Sequence, residues 1–84
     1  MISVEQVKEV NPEIVQAIQQ LFPQLTQFSP IPDEDAIQKM VYSQTTSLWI
    51  ARNAGGKIIA MLSLAIYRTT TGMHAWIEDV VVDQ

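Results

Sequence analysis

The sequence contains no cysteine, a single histidine and few charged residues, and each shortage excludes a class of site. Without cysteine there is no disulfide framework, no thiolate metal site and no thiol nucleophile, so a reducing, cytoplasmic setting is the simplest expectation. One histidine excludes zinc or iron sites built from several histidines. No apolar run approaches the length that a bilayer requires, and the N-terminal residues do not resemble a secretory signal. We therefore expect a cytoplasmic protein without a metal site.

Basic residues are also scarce. Five of them against nine acidic residues give a formal net charge of -4, which argues against nucleic acid as a partner because a phosphate backbone attracts Lys and Arg. Hydrophobic residues nevertheless make up 48% of the 84 residues, and charged residues only 17%. A small domain has proportionally more surface to cover with polar groups, so this apolar excess indicates an interface or a missing remainder. We expect residues 1–84 to form one truncated domain.

The periodic patterns predict a short strand, two helices and then three strands. "ISVEQV" suits an edge strand, and Asn11 followed by Pro12 suits the start of a helix whose apolar residues recur at helical spacing. Three prolines in "PQLTQFSPIPD" predict an irregular connection, after which acidic residues 33–35 begin a second helix. From Ser47 the apolar period is two, which predicts the strands "SLWIARN", "KIIAMLSLAIYRT" and "MHAWIEDVVVD", the second of them covered on both faces. The fold is therefore predicted to be α+β and to end in a three-stranded antiparallel meander.

Two adjacent acids, Glu78 and Asp79, interrupt the last of these strands. Regular alternation places Glu78 beside Trp76 and Val80 on one face and Asp79 on the other, so each acid has apolar neighbours. A buried carboxylate is costly unless it is paired or hydrogen-bonded. Three structural explanations remain open: a bulge that turns one acid outwards, an edge position open to water, or a buried hydrogen bond. The functional alternative is a carboxylate that removes a proton from a nucleophile.

The segment "LWIARNAGGKIIAMLSLAIYRTTTGMHAWIEDVVVD" resembles the first half of the GCN5-related N-acetyltransferases. In that family a turn and long strand of the "GGKIIAMLSL" kind, followed by a strand of the "IEDVVVD" kind, lead into the acetyl-CoA pyrophosphate loop, an Arg/Gln-x-x-Gly-x-Gly/Ala segment at a helix start. The resemblance extends from about Ile2 to Gln84, and the chain ends before that loop. The resemblance implies the fold of that family and its activity, which is the transfer of an acetyl group from acetyl-CoA to a primary amine.

The resemblance also implies roles for residues of the last strand. Glu78 matches a strand acid that acts in several members as the general base, directly or through water. The strand end, formed by Val80, Val81 and Val82, matches main-chain groups that bind the pantetheine arm and orient the acetyl carbonyl. Asp79 is expected to be structural.

Other candidates are better explained by structure than by catalysis. Gly55 and Gly56 lie between two predicted strands, so we expect turn glycines and not a phosphate cradle. His74 as a catalytic base is the weaker alternative to a structural histidine. Trp49 and Trp76 are expected to pack on the sheet and not to stack on a ligand.

Two functions therefore remain open. The first is an acetyltransferase-like half domain, which we expect to be inactive alone because the phosphate-binding loop is absent. Acetyl-CoA is implied as its cofactor by the resemblance only. The second is a non-enzymatic interaction module whose last strand pairs with a second copy, as a homodimer, or with a complementary chain.

Overall fold

The computed structural model of the chain describes residues 1–83, which form one four-stranded sheet and two helices. The elements are β1 (Ser3–Val7), α1 (Pro12–Leu25), α2 (Glu34–Val41), β2 (Thr46–Arg52), β3 (Ile58–Thr69) and β4 (Gly72–Val82). All neighbouring strands are antiparallel, and their order in the sheet is β1-β2-β3-β4. The predicted α+β fold, its element order and its closing meander are confirmed. Within residues 1–83, neither helix is long and apolar enough to cross a membrane.

Both helices begin at the residues that the sequence indicated. The Asn11 side chain accepts a hydrogen bond from the Ile14 amide at 2.9 Å, and Pro12 occupies the first turn, where a missing N–H costs nothing. The Asp33 side chain accepts from the Ala36 amide at 2.8 Å and caps α2 in the same way. These caps fix where each helix starts.

The end of α1 differs from the prediction, because the helix continues through Pro23 to Leu25. Pro23 removes one backbone donor, which led us to expect an irregular segment there. The Thr26 amide nevertheless donates to the Phe22 carbonyl at 3.2 Å and closes the last turn. Leu25 packs against the core, so its burial offsets the missing hydrogen bond.

The hydrophobic core lies between the helices and one face of the sheet. The pairing of the strands places the core residues of the sheet on this one face. Val7 lies opposite Leu48, Ile50 lies opposite Met61, and Met61 lies opposite Val81. Ile14, Ile18, Leu21 and Ile37 enter the same cluster from the helices.

The opposite face of the sheet carries no helix within residues 1–83. Val4, Trp49, Leu62 and Val80 contribute to an open groove of about 250 Å³ on this side. The prediction that β3 is covered on both faces is therefore wrong for the described residues. We call this surface the open face.

The β3–β4 hairpin extends well beyond β2. Pairing between β2 and β3 ends at Thr46 opposite Ala65, whereas pairing between β3 and β4 continues to Thr69 opposite Gly72. Residues 66–75 therefore form a two-stranded projection, and we call this projection, together with Trp76 at its base, the hairpin arm.

Arg52 connects the sheet to α1 at the other end of the molecule. Its Nε donates to Glu5 at 2.7 Å, its two terminal nitrogens donate to Glu13 at 2.7 and 2.9 Å, and it also donates to the Gly56 carbonyl at 2.9 Å. The hydrogen bond from Arg52 lowers the pKa of Glu13 from its ordinary value of 4.5. The hydrogen bonds to Glu13 and Glu5 correspondingly raise the pKa of Arg52.

Candidate functional site

The strand β4 is irregular at the two acids. Ser63 on β3 pairs with Asp79, and the next residue, Leu64, pairs with Ile77, so that Glu78 has no partner position. This is a β-bulge, in which one strand carries one residue more than its neighbour. Because β4 is also an edge strand of the sheet, two of the three structural explanations for the acids, a bulge and an edge position, hold together.

The bulge changes which residues share a face. Regular alternation predicted that Val80 and Val82 lie on the same face as Trp76. In the structure Asp79 and Val81 share the helix-side face with Trp76, and Val81 is 6% exposed. Val80 and Val82 lie on the open face and are 52% and 57% exposed. The predicted assignment of faces is therefore wrong beyond the bulge, because the extra residue shifts the alternation by one position.

Both acids are exposed, so the buried placement that a regular strand predicted is wrong. Neither the Glu78 nor the Asp79 side chain has a hydrogen bond or an ion pair with another of residues 1–83. Exposure removes the cost of burying these charges. It also leaves both carboxylates available to a ligand.

Asp79 borders a cavity between the helices and the sheet. The cavity has a volume of about 250 Å³, and most of its lining is apolar, including Phe22 of α1 and Met40 of α2. Ser63, whose hydroxyl donates to the Met40 sulfur at 3.7 Å, is the other polar side chain from the sheet. The Asp79 carboxylate is thus the charged group of a mainly apolar cavity.

The main chain after the bulge faces the open edge at alternate residues. The Asp83 amide donates to the Ile59 carbonyl at 2.7 Å, so the main chain of Asp83 points towards β3. In an antiparallel pair the N–H and C=O of one residue point to the same side, and the side alternates along the strand. Val81 therefore also points towards β3, and Val80 and Val82 direct their N–H and C=O groups outwards. Within residues 1–83, no strand pairs with this edge.

This geometry shows which of the predicted cofactor-binding residues have main-chain groups that a ligand can reach. It does not show that they bind a cofactor. Val80 and Val82 offer main-chain groups to a ligand that lies along the edge. Val81 uses its main chain in the ladder and its side chain in the core. Binding of a cofactor by these three residues and catalysis by Glu78 stay predictions.

The two adjacent glycines lie in the β2–β3 turn, as predicted. Gly56 has a φ of +86°, a conformation that favours glycine. The Asn53 side chain accepts from the Gly55 amide at 3.0 Å and from the Lys57 amide at 3.0 Å, which organises the turn. No helix begins there, so these glycines form no phosphate cradle.

His74 lies near the tip of the hairpin arm and is held by local contacts. Its Nε2 is 2.9 Å from the Thr69 hydroxyl and 3.1 Å from the Thr71 hydroxyl. Its ring stacks on Tyr67, with centroids 5.5 Å apart and ring planes inclined by 20°. These contacts agree with the structural interpretation of this histidine.

The two tryptophans differ. Trp49 is half-buried on the open face, and its indole nitrogen donates to the Ser47 hydroxyl at 3.0 Å. Trp76 lies on the helix-side face of the arm and is 59% exposed, so the prediction that it packs on the sheet is wrong. The sequence held a signal for this exposure, because β2 has 7 residues whereas β3 and β4 have 12 and 11. Trp76 lies in the last row that β2 reaches, because its partner Ala65 pairs with Thr46, the first residue of β2.

Metal ligation has no support in residues 1–83, where no group of three or more His, Cys, Asp or Glu side chains is placed to hold an ion.

Solved structures of acetyltransferases share this arrangement of strands and helices. An aminoglycoside acetyltransferase from an uncultured soil metagenomic sample, in complex with trehalose, matches with a TM-score of 0.79 and 21% identity, over 99% of this chain and 57% of that chain. An aminoglycoside antibiotic 6'-N-acetyltransferase from Acinetobacter baumannii matches with a TM-score of 0.76 and 15% identity, over 99% and 58% of the two chains. A Trypanosoma brucei acetyltransferase gives a TM-score of 0.70 and 23% identity, over 99% and 61%.

These likenesses define the fold. The chain has the N-acetyltransferase fold, which confirms the fold that the sequence resemblance implied. It spans less than two thirds of the length of each of these neighbours, in agreement with a half domain. No protein-family model matches the chain, and no curated protein matches it in sequence.

Proposed function

We propose that the chain is the part of an N-acetyltransferase that carries the general base and the strand edge for the acetyl donor. The donor is acetyl-CoA, and the acceptor is a primary amine. The observation that carries the proposal is the bulge in β4, which exposes Glu78 immediately before the outward-facing main chain of Val80 and Val82. The acetyltransferase fold of the chain supports it.

Glu78 would act on the amine. A protonated amine has no free electron pair, so it must lose a proton before it attacks a carbonyl carbon. The exposed Glu78 carboxylate can accept that proton, because no side chain among residues 1–83 competes for it. The amine nitrogen would then form a bond to the acetyl carbon, the carbon–sulfur bond would break, and the second proton of the amine would pass to the departing sulfur, so that CoA leaves as the thiol.

Val80 and Val82 would hold the donor. When bound, acetyl-CoA supplies an acetyl thioester at the end of an arm that contains amide groups. Outward-facing N–H and C=O groups can pair with such amides as a neighbouring strand would. The free N–H groups are also suitable donors to the charge that develops on the carbonyl oxygen.

The pyrophosphate of acetyl-CoA does not fit residues 1–83 in the same way. Gly55 and Gly56 lie in one hairpin turn and Gly72 begins β4 after another, and none of them precedes a helix. A pyrophosphate site requires exposed amides at a helix start, approached by a glycine-rich turn. We therefore propose that residues 1–84 bind only the pantetheine arm and that acetyl-CoA transfer by them alone is close to background at donor concentrations too low to saturate the edge.

Calorimetric titration separates these contributions. If only the arm is bound, CoA and free pantetheine should have dissociation constants within about threefold of each other, because the nucleotide adds no contact. CoA binding about 100-fold tighter than pantetheine would instead show a nucleotide site in these residues. Absence of binding by either compound would contradict the proposal.

The role of Glu78 needs an assay that does not depend on the nucleotide. With S-acetylpantetheine at a concentration that saturates the edge, the rate of amine acetylation should fall by about 10²-fold in Glu78→Gln. Asp79→Asn is the matched control, because it removes the neighbouring charge and leaves the proposed base. Equal rates in wild type and Glu78→Gln would contradict a base at this position.

A second candidate function is an interaction module that pairs through β4. Ile77, Val80 and Val82 are each more than half exposed, and the adjacent main-chain groups of the edge are unpaired within residues 1–83. An unpaired edge of this kind is a template for strand addition. We propose a homodimer through β4 as the form that this module would take.

Sedimentation tests the homodimer. Donor binding and strand pairing between two copies would use the same outward main-chain groups of β4, so they exclude each other. A dimer through β4 should dissociate in Val80→Pro, which removes an outward N–H, and persist in Val4→Pro, at the opposite edge of the sheet. Pantetheine should also shift a dimer towards monomer. A folded monomer at micromolar concentration would contradict the dimer.

A cytoplasmic location stays a prediction.

A further inference from the structure

The cavity beside Asp79 extends from the exposed surface to the hydrophobic core. Its inner end is formed by Ile18 of α1, Ile37 of α2 and Met61 of β3, which are 2%, 0% and 7% exposed. Its mouth is bordered by Asp79 of β4 and Ala36 of α2, both of which are exposed. A ligand that enters from solvent can therefore place one end against the core and keep the other end at the Asp79 carboxylate.

The volume of the cavity limits the size of its ligand. The cavity measures about 250 Å³, which is smaller than the pockets of roughly 300–1,000 Å³ that hold drug-sized molecules. It is larger than an apolar cavity of about 150 Å³, which holds benzene. The available space therefore suits one ring, or a short alkyl chain, together with a small polar group.

The lining of the cavity favours an apolar ligand body. Within residues 1–83, eight of the ten residues that line it are apolar, and the two polar ones are Ser63 and Asp79. The Ser63 hydroxyl already donates to the Met40 sulfur at 3.7 Å. A ligand body with several hydroxyl groups would lose its hydrogen bonds to water here without replacement, whereas an apolar body gains by leaving water.

The charges around the mouth favour a cation. Asp79 has no ion pair among residues 1–83, and α1 carries no basic residue. The start of α2 carries the three exposed acids of residues 33–35, against one basic residue, Lys39, in its last turn. Arg68 of the hairpin arm pairs with Met73 on the open face, away from the cavity. An anionic ligand would be repelled at this mouth and a cationic one attracted.

We propose that this cavity binds a primary amine carried by one compact apolar body, such as a benzyl group or a short alkyl chain. The body lies between the two helices and the sheet, and the protonated amine pairs with Asp79 at the mouth. Glu78 is the neighbouring residue in β4, and the identification of this amine as the acetyl acceptor rests on the proposed function. The binding itself requires no catalysis.

Other classes of ligand satisfy only part of this cavity. A neutral apolar molecule fills the space but covers the Asp79 carboxylate without giving it a partner. An amino sugar or a polyamine supplies the charge, but its remaining polar groups would meet the apolar lining. A single amine on an apolar body satisfies both the carboxylate and the lining.

A nuclear magnetic resonance titration that follows the backbone amides both detects the ligand and locates it. The probes are benzylamine, benzyl alcohol and glucosamine, each added without acetyl-CoA or pantetheine. Benzylamine and benzyl alcohol share the ring and differ in charge, and glucosamine carries its amine on a hydroxylated ring. The comparison therefore separates the contribution of the charge from that of the apolar body.

Benzylamine should shift the amides of Ile37 and Ser63 saturably and leave those of residues 53–56 unchanged. A dissociation constant on the order of 1 mM is expected for so small a ligand, and benzyl alcohol and glucosamine should each bind about tenfold more weakly. Asp79→Asn should weaken benzylamine binding about tenfold and leave benzyl alcohol binding unchanged. Glu9→Gln, an exposed acid beyond β1 at the opposite edge of the sheet, should bind both probes as the parent does.

A second variant tests the cavity itself. Ala36→Phe places a large side chain at the mouth and should weaken benzylamine and benzyl alcohol about equally, by at least about tenfold. The matched control is Ala75→Phe, because Ala75 is also exposed but lies opposite Ile66 on the open face of the arm. It should bind both probes as the parent does. Both substitutions are at exposed positions, and thermal unfolding checks that each variant is folded.

Four results would overturn the inference. Absence of saturable benzylamine binding would exclude the site, and unchanged benzylamine binding in Asp79→Asn would remove the carboxylate from it. Unchanged binding in a folded Ala36→Phe would place the ligand elsewhere, and glucosamine that binds as tightly as benzylamine would exclude the apolar body. If Ala36→Phe does not fold, the Asp79→Asn comparison still decides. Because no donor is present, a failure of acetyl transfer leaves these measurements unaffected and is recognised separately.

Discussion

Deletion of Glu78 is a perturbation whose outcome depends on the bulge. If Glu78 is the extra residue of β4, its removal joins Ile77 to Asp79 and restores regular alternation without moving either neighbour to the other face. Trp76, Asp79 and Val81 then remain on the helix side. The deletion should therefore leave the fold intact, although deletions inside strands usually reverse the faces of all the residues that follow.

The expected change in the free energy of unfolding follows from the contacts that Glu78 makes. Its side chain is exposed and has no partner in residues 1–83, so its loss removes no burial and no ion pair. A regular ladder would gain at most one backbone hydrogen bond, with a net value of about 1 kcal/mol. We expect the free energy of unfolding to stay within about 1 kcal/mol of the parent value.

Urea unfolding compares this deletion with a matched deletion of Trp49. Trp49 lies in a regular part of β2 between Leu48 and Ile50, which are 0% and 2% exposed on the helix side. Its deletion forces one of these two side chains out of the core, at a cost of about 2–5 kcal/mol. A Glu78 deletion that destabilises the fold as much as the Trp49 deletion would refute the bulge.

Three further predictions concern stability. Leu48→Ala should lower the free energy of unfolding by about 2–5 kcal/mol, whereas Val82→Ala, at an exposed position, should change it by less than about 0.5 kcal/mol in urea titrations. Because Arg52 lowers the pKa of Glu13, this pair stabilises the fold above pH 4.5 and its contribution is lost as the pH falls below that value. Arg52→Gln should therefore reduce the difference between urea midpoints measured at neutral and at acidic pH, and an unchanged difference would contradict the assignment. Asn11→Ala should cost about 1 kcal/mol because the Ile14 amide loses its cap, and Asn11→Asp should retain most of the stability in thermal unfolding.

Much of the fold could be predicted because local chemistry and tertiary structure agree. The caps at Asn11 and Asp33 begin the helices where the polar side chains indicated. The change to a period of two near Ser47 marks the start of the meander. Pro23 was misleading, because the packing of Leu25 on the core outweighs the local preference against continuing a helix there.

The site was less predictable, since it depends on a shift of one residue in the pairing between β3 and β4. The acids Glu78 and Asp79 indicated an irregular strand, but the sequence gives no reason to prefer one of them as the extra residue. The pairing with β3 decides it, since Ser63 pairs with Asp79 and Leu64 with Ile77, which leaves Glu78 as the extra residue. The exposure of Trp76 likewise depends on the length of β2, a property of a different segment.

Amide hydrogen exchange along β4 tests the central claim most directly. The account predicts fast exchange at Val80 and Val82, whose amides face the open edge, and slow exchange at Val81 and Asp83, whose amides face β3. Pantetheine should slow exchange at Val80 and Val82 and leave the other two unchanged. Protection of Val80 and Val82 in dilute protein without ligand, or indifference of these two amides to saturating pantetheine, would contradict an edge that is open to the acetyl donor.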